Sequence, residues 1–456
     1  MNLDVVILAA GQGTRMVSDL PKVLHPLARK PLLQHVIDTS AELNARAIHV
    51  VIGHGAELVR STVTAPQLNF VVQEQQLGTG HAVAQVLPIL QDDGVTLILY
   101  GDVPLVTEST LNALTALAEQ SAVGLLTVEL PDPTGYGRIV RNQDAQIVAI
   151  VEERDATAEQ RAITEVNTGI MAVPTAQLKT WIAKLDNHNA QNEFYLTDII
   201  AAAVADGVSV QPLISNSVLA VTGVNNRVQL AQLEREHQRQ QANQLMLAGV
   251  SLADPNRFDV RGSLTHGRDV FIDVNTVING DVTLGDRVSI GPNCVISNAI
   301  IGDDSVIEAN SVIDDSVIGK QCSIGPFARL RPGSRLGNHA KIGNFVETKN
   351  AVFGDSSKAN HLSYIGDAER GNHVNIGAGT ITCNYDGANK HKTSIGSNAF
   401  IGSNSALVAP VEIGEGATVG AGSTVTNAVP DHALAVNRAK QRTIANWQRP
   451  IKMRKE

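Results

Sequence analysis

The sequence predicts an α/β domain followed by a parallel β-helix, and three patterns carry this prediction. Apolar runs alternate with helical stretches over residues 1–225. Residues 226–249 contain strong helix formers and, before Gly249, neither glycine nor proline. From about residue 282 to residue 425, an aliphatic residue followed by a small or acidic one recurs every six positions, as at Leu284, Ile290, Ile395 and Ile401.

The first part of the chain opens with an apolar run that leads into the segment V-V-I-L-A-A-G. Further candidate strands lie at 48–52, 69–72, 96–100, 124–128 and 147–151, and candidate helices at 31–42, 80–90 and 108–118. This alternation predicts a mostly parallel sheet with helices on both faces. In such a domain, ligands bind at the carboxyl ends of the strands.

The period of six in the second part fits neither an α-helix nor a simple alternating strand, and it is typical of a parallel β-helix. Each coil stacks an aliphatic side chain on the coil below, while small residues occupy the corners. A content of 38 glycines and only 3% aromatic residues agrees with a narrow aliphatic solenoid.

These patterns define four segments. Residues 1–225 form the predicted α/β domain, 226–249 a linker helix that is polar nearly all round, 250–430 the β-helix and 431–456 a tail. A length of 456 residues exceeds what one core normally supports. The tail is locally basic and contains Arg438, Lys440, Arg442, Arg449, Lys452, Arg454 and Lys455.

Composition excludes several classes of protein. A net charge of −9 argues against a general nucleic-acid binder. No apolar run has membrane-spanning length and no basic segment precedes the first apolar run, so we expect a cytoplasmic protein without membrane insertion. Cys294, Cys322 and Cys383 are isolated, which predicts buried free thiols rather than a disulfide framework or a zinc site.

The first strand leads into a glycine-rich loop, Gly11-Gln12-Gly13-Thr14-Arg15-Met16. A dinucleotide-binding loop requires glycine where Met16 stands, and a Walker A loop requires a Gly-Lys-Ser/Thr that is absent. The segment L-A-A-G-x-G-T-R-M, followed by Pro21-Lys22, resembles the signature of sugar nucleotidyltransferases. That resemblance implies that the loop backbone approaches a nucleoside triphosphate, which Arg15 and Lys22 neutralise. A simple tight turn is the alternative for the loop taken alone.

Downstream segments extend this resemblance to base, metal and sugar sites. Gln73 and the run 76–82 resemble the base-recognition segment of the uridylyl-transferring members. Asp102 ends a strand, the usual position of a Mg²⁺ ligand, and Asn225 resembles a second ligand. The alternatives are that Asp102 caps a turn and that Asn225 caps the linker helix. The residues implied in binding UTP or the UDP-sugar are Leu8, Ala9, Ala10, Gly11, Gly13, Arg15, Lys22, Gln73, Gly78, Thr79, Tyr100, Gly101, Asp102, Gly137, Glu152, Asn167 and Asn225.

The chemistry of such a site follows from its charges. A sugar-1-phosphate oxygen attacks the α-phosphorus of the triphosphate in line, and pyrophosphate leaves. Because the nucleophile is already an anion, the site needs no protein nucleophile or general base. Catalysis depends on holding two polyanions together while Mg²⁺, Lys22 and Arg15 offset their charge.

A polar loop at 382–392 interrupts the repeat of the β-helix, and loops on regular scaffolds often carry function. Arg331, Lys349, Tyr364 and Asn375 form a cationic and hydrogen-bonding set with His361 in the surrounding repeats. Left-handed β-helix acyltransferases use such a histidine as the general base on an acceptor amine. An exposed corner residue without a function is the alternative for His361.

Taken together, these segments resemble the bacterial bifunctional enzymes that make UDP-N-acetylglucosamine for peptidoglycan and lipopolysaccharide synthesis. The resemblance covers essentially the whole chain. It implies a Rossmann-like nucleotidyltransferase domain, a left-handed β-helix and a parallel homotrimer, with acetyl-transfer sites at the subunit interfaces. UTP and acetyl-CoA are the implied co-substrates. Gln12 departs from the family, in which lysine is common at this position.

The same resemblance assigns the acetyl-transfer site. His361 is the implied base. The implied glucosamine-1-phosphate ligands are Arg331, Lys349, Tyr364, Asn375 and Lys390. The implied acetyl-CoA and oxyanion contacts are Ala378, Asn384, Tyr385, Ser403, Ala421 and Arg438.

Two other classes of protein fit part of the pattern. A nucleotidyltransferase whose β-helix is only regulatory or oligomerising leaves His361, the 382–392 loop and the basic tail without a role. A non-catalytic assembly protein that kept the fold has no need of Arg15, Lys22 and Asp102. Release of pyrophosphate from UTP and of CoA from acetyl-CoA separates these alternatives from the bifunctional enzyme.

Overall fold

The computed structural model describes residues 2–450, so the tail residues Lys452, Arg454 and Lys455 lie outside the described part of the chain. The chain folds as two compact units, Met1–His237 and Gln238–Glu456. The two units have separate hydrophobic cores.

The first unit is a sheet covered by helices. Its strands are β1 Leu3–Leu8, β2 Ala47–Ile52, β3 Leu68–Val72, β4 Val95–Tyr100, β5 Val123–Glu129, β6 Arg138–Arg141, β7 Ile147–Val151, β8 Glu165–Pro174 and β9 Val210–Ile214. Its helices are α1 Leu32–Glu42, α2 Ala56–Thr62, α3 Thr79–Ala84, α4 Glu108–Glu119, α5 Ala158–Arg161, α6 Thr175–Ile182 and α7 Ile199–Ala205. A short hairpin, Pro26–Leu27 with Lys30–Pro31, lies outside this sheet.

The main path of the sheet runs β9-β5-β8-β4-β1-β2-β3, with β6 and β7 attached to β8. Strand β1 pairs in parallel with β2 and β4, so their carboxyl ends open at one edge. Strand β8 is antiparallel to both β4 and β5, and the sequence patterns did not identify it. The helix predicted at 80–90 ends at Ala84, because Pro88 has no N–H to continue it.

The second unit is a stack of parallel coils. One sheet stacks Ser251–Leu252, Phe271–Ile272, Ser289–Ile290, Val306–Ile307, Ser323–Ile324, Lys341–Asn344, Lys358–His361, Asn375–Ile376, Phe400–Ile401, Thr418–Val419 and Leu434–Ala435. The other sheet contains Phe258–His266, Thr276–Leu284, Val295–Ile301, Val312–Ile318, Arg329–Leu330, Ser334–Leu336, Glu347–Phe353, Tyr364–Arg370, Ile381–Cys383, Thr393–Ile395, Ala406–Val408, Val411–Ile413 and Thr424–Val425. The predicted parallel β-helix is confirmed, and its handedness stays a prediction.

The core of the second unit is the predicted aliphatic ladder. Ile290, Ile307, Ile324 and Ile342 lie directly above one another and are buried. Backbone in the left-handed region turns the corners. At Gly280, with φ of 61°, an added Cβ would lie 2.0 Å from the Asn298 side-chain oxygen, so this corner excludes larger residues.

Helix α8, Arg227–Leu247, contributes residues to both units, and the first turns of this helix pack onto the first one. Leu233 is buried there with Met16 and Leu27. Within residues 2–450, no helix is long and apolar enough to cross a lipid bilayer.

Candidate active sites

A cavity of 270 Å³ opens at the carboxyl ends of β1 and β4. The predicted residues that line it are Leu8, Ala9, Ala10, Gly11, Lys22, Gln73, Gly78, Thr79, Tyr100 and Asp102. Gln76 and Ala82, from the predicted base-recognition run 76–82, also line the cavity, whereas the lining residues Val23 and Glu193 were not predicted. The structure thus gathers the loop after β1, the segment before α3 and the end of β4 around one cavity.

Lys22 is held against the glycine-rich loop. Gly13 has φ of 63°, and a Cβ at this position would lie 2.4 Å from the Cβ of Lys22. Any larger residue at position 13 would therefore displace Lys22 or strain the loop. Gly101 is packed among Leu33, Ala9 and Val23 at the end of β4, where it lets Asp102 follow the strand closely.

Two cations and two side-chain oxygens meet beside this cavity. The Lys22 ammonium forms an ion pair with Asp102 and lies 3.3 Å from the Asn225 oxygen. Arg15 donates to the same Asn225 oxygen at 2.9 Å. The Asp102 and Asn225 oxygens, which are distant in sequence, therefore converge on one cation. Carboxylate and amide oxygens are the ligands that Mg²⁺ prefers, so this pair fits a divalent cation.

Room for a ligand at Asp102 depends on Gly223. A Cβ at Gly223 would lie 3.3 Å from the Asp102 oxygen that faces Lys22. Among the described residues, no group of three or more His, Cys, Asp or Glu side chains is placed to hold a metal ion. Any metal here would take its remaining ligands from substrate or water.

The predicted sugar residues lie together next to this cavity. The Gly137 carbonyl accepts from the Asn167 N–H at 2.8 Å, and Gly137 lies against the Glu152 carboxyl. Burial raises the pKa of Glu152, which accepts from the Thr197 hydroxyl at 3.0 Å. Burial, together with the charges of Glu152 and Asp102, also raises the pKa of Tyr100. Tyr100, which lines the cavity, therefore lies near both the sugar residue Glu152 and the proposed metal ligand Asp102.

Glu193 and Thr197 reach the site through tertiary contacts. The Phe194 N–H donates to the Leu77 carbonyl at 2.8 Å, and the Gly80 N–H donates to the Phe194 carbonyl at 2.8 Å. The segment that follows α6 is thereby attached to the segment before α3. No sequence motif marks these residues, because their role depends on a pairing across more than a hundred residues.

The second unit brings three cations together, and the Asp367 carboxylate nearby offsets only part of their charge. The Lys390 ammonium contacts Lys349 and lowers its pKa, and Arg331 lowers it further. Arg331 also donates to Glu347 at 2.7 Å. Two ammonium groups in contact repel each other, so the cluster favours an anionic ligand.

Tyr364 and Asn384 lie close together in the same region. A Cβ at Gly366 would lie 2.4 Å from the Tyr364 hydroxyl and 2.9 Å from the Asn384 amide nitrogen. The amide nitrogen also donates to Asp367. Tyr385 is exposed in the 382–392 loop, and its hydroxyl donates to the Gly387 carbonyl at 2.6 Å.

His361 ends the strand Lys358–His361 and is exposed. Its carbonyl accepts from the Gly379 N–H, next to the predicted contact Ala378, and Asn375 lies on the coil that follows. The predicted acetyl-CoA contacts Ala378, Ser403 and Ala421 form a column on successive coils. The Ala378 carbonyl accepts from the N–H of Asn404, the residue after Ser403, and the Ser403 carbonyl accepts from the N–H of Gly422, the residue after Ala421. Arg438 continues this column by donating to the Ala421 carbonyl at 2.9 Å.

An apolar ridge runs beside His361. Phe327, Phe345 and Leu362 occupy the same corner of successive coils, with φ values of 55°, 55° and 51°. They are 47%, 59% and 63% exposed, and the two phenylalanine rings stack with centroids 5.3 Å apart. Bulky residues rarely adopt left-handed backbone, so this corner carries both strain and exposed apolar area.

Cys294 and Cys322 are buried, as expected, whereas the prediction for Cys383 is wrong because this residue is only partly buried. Cys383 ends the strand Ile381–Cys383, from which the polar loop departs, so its side chain is not enclosed by a complete coil.

The fold and the two sites define a two-domain transferase, with a nucleotidyltransferase unit and a hexapeptide-repeat acyltransferase unit. Residues 5–164 match the MobA-like NTP transferase domain, residues 260–360 the GMPPB C-terminal domain, and residues 392–427 the bacterial transferase hexapeptide with six repeats. The bifunctional protein GlmU of Marinobacter nauticus is 59% identical to the chain and that of Dechloromonas aromatica 58% identical, each over 453 residues and at least 99% of both chains.

The chain belongs to the bifunctional GlmU family, and it is an enzyme with uridylyltransferase and acetyltransferase activities. A solved UDP-glucose pyrophosphorylase complexed with UDP-glucose is 16% identical, with a TM-score of 0.44, and covers 53% of this chain and 100% of its own. The hexapeptide repeat is also typical of oligomeric proteins.

Proposed function

We propose that the first unit transfers uridylyl from UTP to N-acetylglucosamine-1-phosphate. The sugar-phosphate oxygen forms a bond to the α-phosphorus while the bond to pyrophosphate breaks. The convergence of Lys22, Arg15, Asp102 and Asn225 beside the cavity carries this proposal, because it supplies the charges that two polyanions require. Gln73, Gly78 and Thr79 hold the base, and Glu152 and Asn167 hold the sugar.

Mg²⁺ is the cofactor that fits the Asp102 and Asn225 oxygens. When bound, it offsets phosphate charge in the transition state. Lys22 and Arg15 bind the triphosphate oxygens, and the backbone of Gly11 and Gly13 lets the phosphates approach closely. Glu152, with Thr197 donating to it, orients sugar hydroxyl groups.

The second unit acetylates glucosamine-1-phosphate. Arg331, Lys349 and Lys390 bind the phosphate, because an anion relieves the repulsion between the two lysine ammonium groups. The amine nitrogen attacks the thioester carbonyl of acetyl-CoA, the bond from carbon to sulfur breaks, and His361 takes the proton from the amine. Tyr385 or a backbone N–H stabilises the oxyanion, and the column from Ala378 to Arg438 holds CoA.

We further propose that the enzyme is a parallel homotrimer. The ridge of Phe327, Phe345 and Leu362 supports this state, because its exposed area and left-handed backbone are costly in an isolated chain. Since the ridge adjoins His361, a neighbouring copy that covers it also lies beside the acetyl-transfer site.

Two single substitutions test the assignment of the sites. Asp102→Ala is expected to abolish release of pyrophosphate from UTP while sparing release of CoA from acetyl-CoA, and His361→Ala is expected to do the reverse. Both activities are measured with each acceptor in turn, in protein of unchanged oligomeric state. Loss of both activities in either variant would show that the two reactions do not use separate sites.

A further inference from the structure

The orientation of the Gln73 amide is determined by its neighbours. Gln73 is 3% exposed and lines the nucleotide cavity. Its side-chain nitrogen lies 3.1 Å from the Gly78 carbonyl oxygen and 3.0 Å from Nδ1 of His81. Because a carbonyl oxygen can only accept, the amide must present its NH₂ group at this position. Both N–H groups of Gln73 are therefore used within the protein.

The same contacts determine the tautomer of His81. A neutral imidazole has one acceptor and one donor nitrogen. Nδ1 faces the NH₂ group of Gln73, so it accepts, and the proton is on Nε2. Nε2 lies 3.1 Å from the Gln85 amide nitrogen, which also donates to the His81 carbonyl at 3.1 Å. Gln85 is less buried than Gln73, so its amide is the one that turns: its oxygen then accepts the proton of Nε2, at the cost of the contact with the carbonyl.

The His81 ring is held in place from two directions. It lies on helix α3, and the Phe194 ring packs beside it with centroids 6.4 Å apart and planes inclined by 32°. Phe194 is itself attached by backbone hydrogen bonds to Leu77 and Gly80. The imidazole can therefore impose its hydrogen-bonding pattern on Gln73.

We propose that His81 is a positioning residue that sets the pyrimidine specificity of the uridylyl site. By accepting from Gln73, it commits the Gln73 nitrogen and leaves the amide oxygen as the group that can meet a base. N3 of uracil carries a hydrogen and donates to this oxygen, whereas N3 of cytosine is an acceptor and is repelled. This inference rests on the proposed contact of Gln73 with the base.

The matched variants are His81→Asn and His81→Gln. Asparagine places an amide oxygen close to the position of Nδ1, whereas glutamine reaches the position of Nε2 instead. The measurement is the ratio of kcat/KM for UTP to that for CTP with saturating N-acetylglucosamine-1-phosphate. We expect His81→Asn to stay within about threefold of the wild-type ratio, and His81→Gln and His81→Leu to lower it about 10- to 100-fold.

Gln85→Ala is the control, because it removes the partner of Nε2 and leaves the Gln73 contact intact, so the ratio is expected to hold. Acetyl transfer and thermal unfolding report whether each variant is folded. Gln73→Ala distinguishes a failure of the proposed contact between Gln73 and the base from a failure of the role of His81. A Gln73→Ala enzyme with the wild-type ratio would show that Gln73 does not read the base. A lowered ratio in Gln73→Ala, combined with an equal effect of His81→Asn and His81→Gln, would overturn the role of His81.

Discussion

The Lys22 ammonium is paired with the Asp102 carboxylate, which is also the proposed ligand of Mg²⁺. The same ammonium lies 3.3 Å from the Asn225 oxygen, the second proposed ligand. Lys22 therefore contacts both proposed Mg²⁺ ligands, and we expect a triphosphate that attracts Lys22 to free both oxygens for the metal.

This arrangement predicts competition between Lys22 and the metal. Lys22→Met is expected to strengthen binding of Mn²⁺ to the protein without UTP, by about tenfold, because removing a nearby positive charge favours a cation. Electron paramagnetic resonance of free Mn²⁺ measures the affinity. Lys30→Met, which removes the partner of the exposed Asp38, is the control. Equal Mn²⁺ affinity in the wild type and in Lys22→Met would contradict the competition.

Lys22 has a second role toward the triphosphate. We expect Lys22→Ala to lower kcat/KM of uridylyl transfer by about 10- to 150-fold, since a charged hydrogen bond to a phosphate contributes roughly 1.5–3 kcal/mol. Lys22→Arg is expected to restore little, because Lys22 is packed against Gly13 and a guanidinium is larger. Acetyl transfer serves as the control and is expected to be unchanged. Normal uridylyl transfer in Lys22→Ala would remove this residue from the site.

A buried guanidinium interrupts the core of the β-helix. Arg370 is 4% exposed, and none of its three side-chain nitrogens has a hydrogen-bond partner among residues 2–450. It lies between Phe353 and Ile395 on neighbouring coils, with its guanidinium carbon 3.0 Å from the centroid of the Phe353 ring. Burial lowers the pKa of this guanidinium well below its ordinary value.

We expect Arg370→Ile to raise the melting temperature of the β-helix, since replacing a buried charge by an apolar residue often stabilises by about 1–4 kcal/mol. Calorimetry measures the change. Arg335→Ile, at an exposed position two strands away in the same sheet, is the matched control and is expected to have little effect. A lower melting temperature in Arg370→Ile would show that the contact with Phe353 outweighs the cost of burial.

Two histidines pack against each other where helix α8 meets the first unit. The rings of His35 and His237 are 5.3 Å apart and nearly perpendicular, and Nε2 of His35 lies 2.9 Å from the Leu27 carbonyl. Burial lowers the pKa of His237 to about 4 and also lowers that of His35. The charges that face the pair are Lys30, Asp38 and Glu234.

Because an unfolded histidine titrates near pH 6.5, the unfolded chain binds more protons than the folded one between about pH 6.5 and pH 4. The stabilising effect of neutral His237 is therefore complete above about pH 6.5 and is lost as the pH falls through this window. His237→Gln is expected to reduce the loss of melting temperature between pH 7 and pH 5. The same loss in His237→Gln and in His188→Gln, a change at an exposed histidine, would contradict this role.

The tail is expected to complete the CoA site of a neighbouring subunit. Deleting the chain from Asn437 onward should abolish acetyl transfer and leave uridylyl transfer intact. Mixing this protein with His361→Ala by co-refolding should restore acetyl transfer at about a quarter of the sites, the random share in a closed threefold ring. Absence of rescue in trimers shown to be mixed would place the histidine and tail of each site in one subunit.

The sequence alone determined the two architectures and most of the residues around the nucleotide cavity. Residues such as Ile290 and Ile307 repeat at a spacing that only a stacked coil can bury on one side. Gly13, Lys22 and Asp102 could be predicted because they belong to contiguous motifs, in which the residue types and their spacing are typical of phosphate and metal binding.

The contacts between side chains from distant segments are apparent only in the folded chain. Thr197 contacts Glu152, Lys22 contacts Asp102, and β8 inserts antiparallel between β4 and β5, and each of these pairings joins segments with no shared motif. The burial of Arg370 could not be predicted from the sequence either, since a charged residue in a repeat is normally expected to point into solvent. Local patterns report the period and the turn of the backbone, whereas contacts between distant segments depend on how the whole core packs.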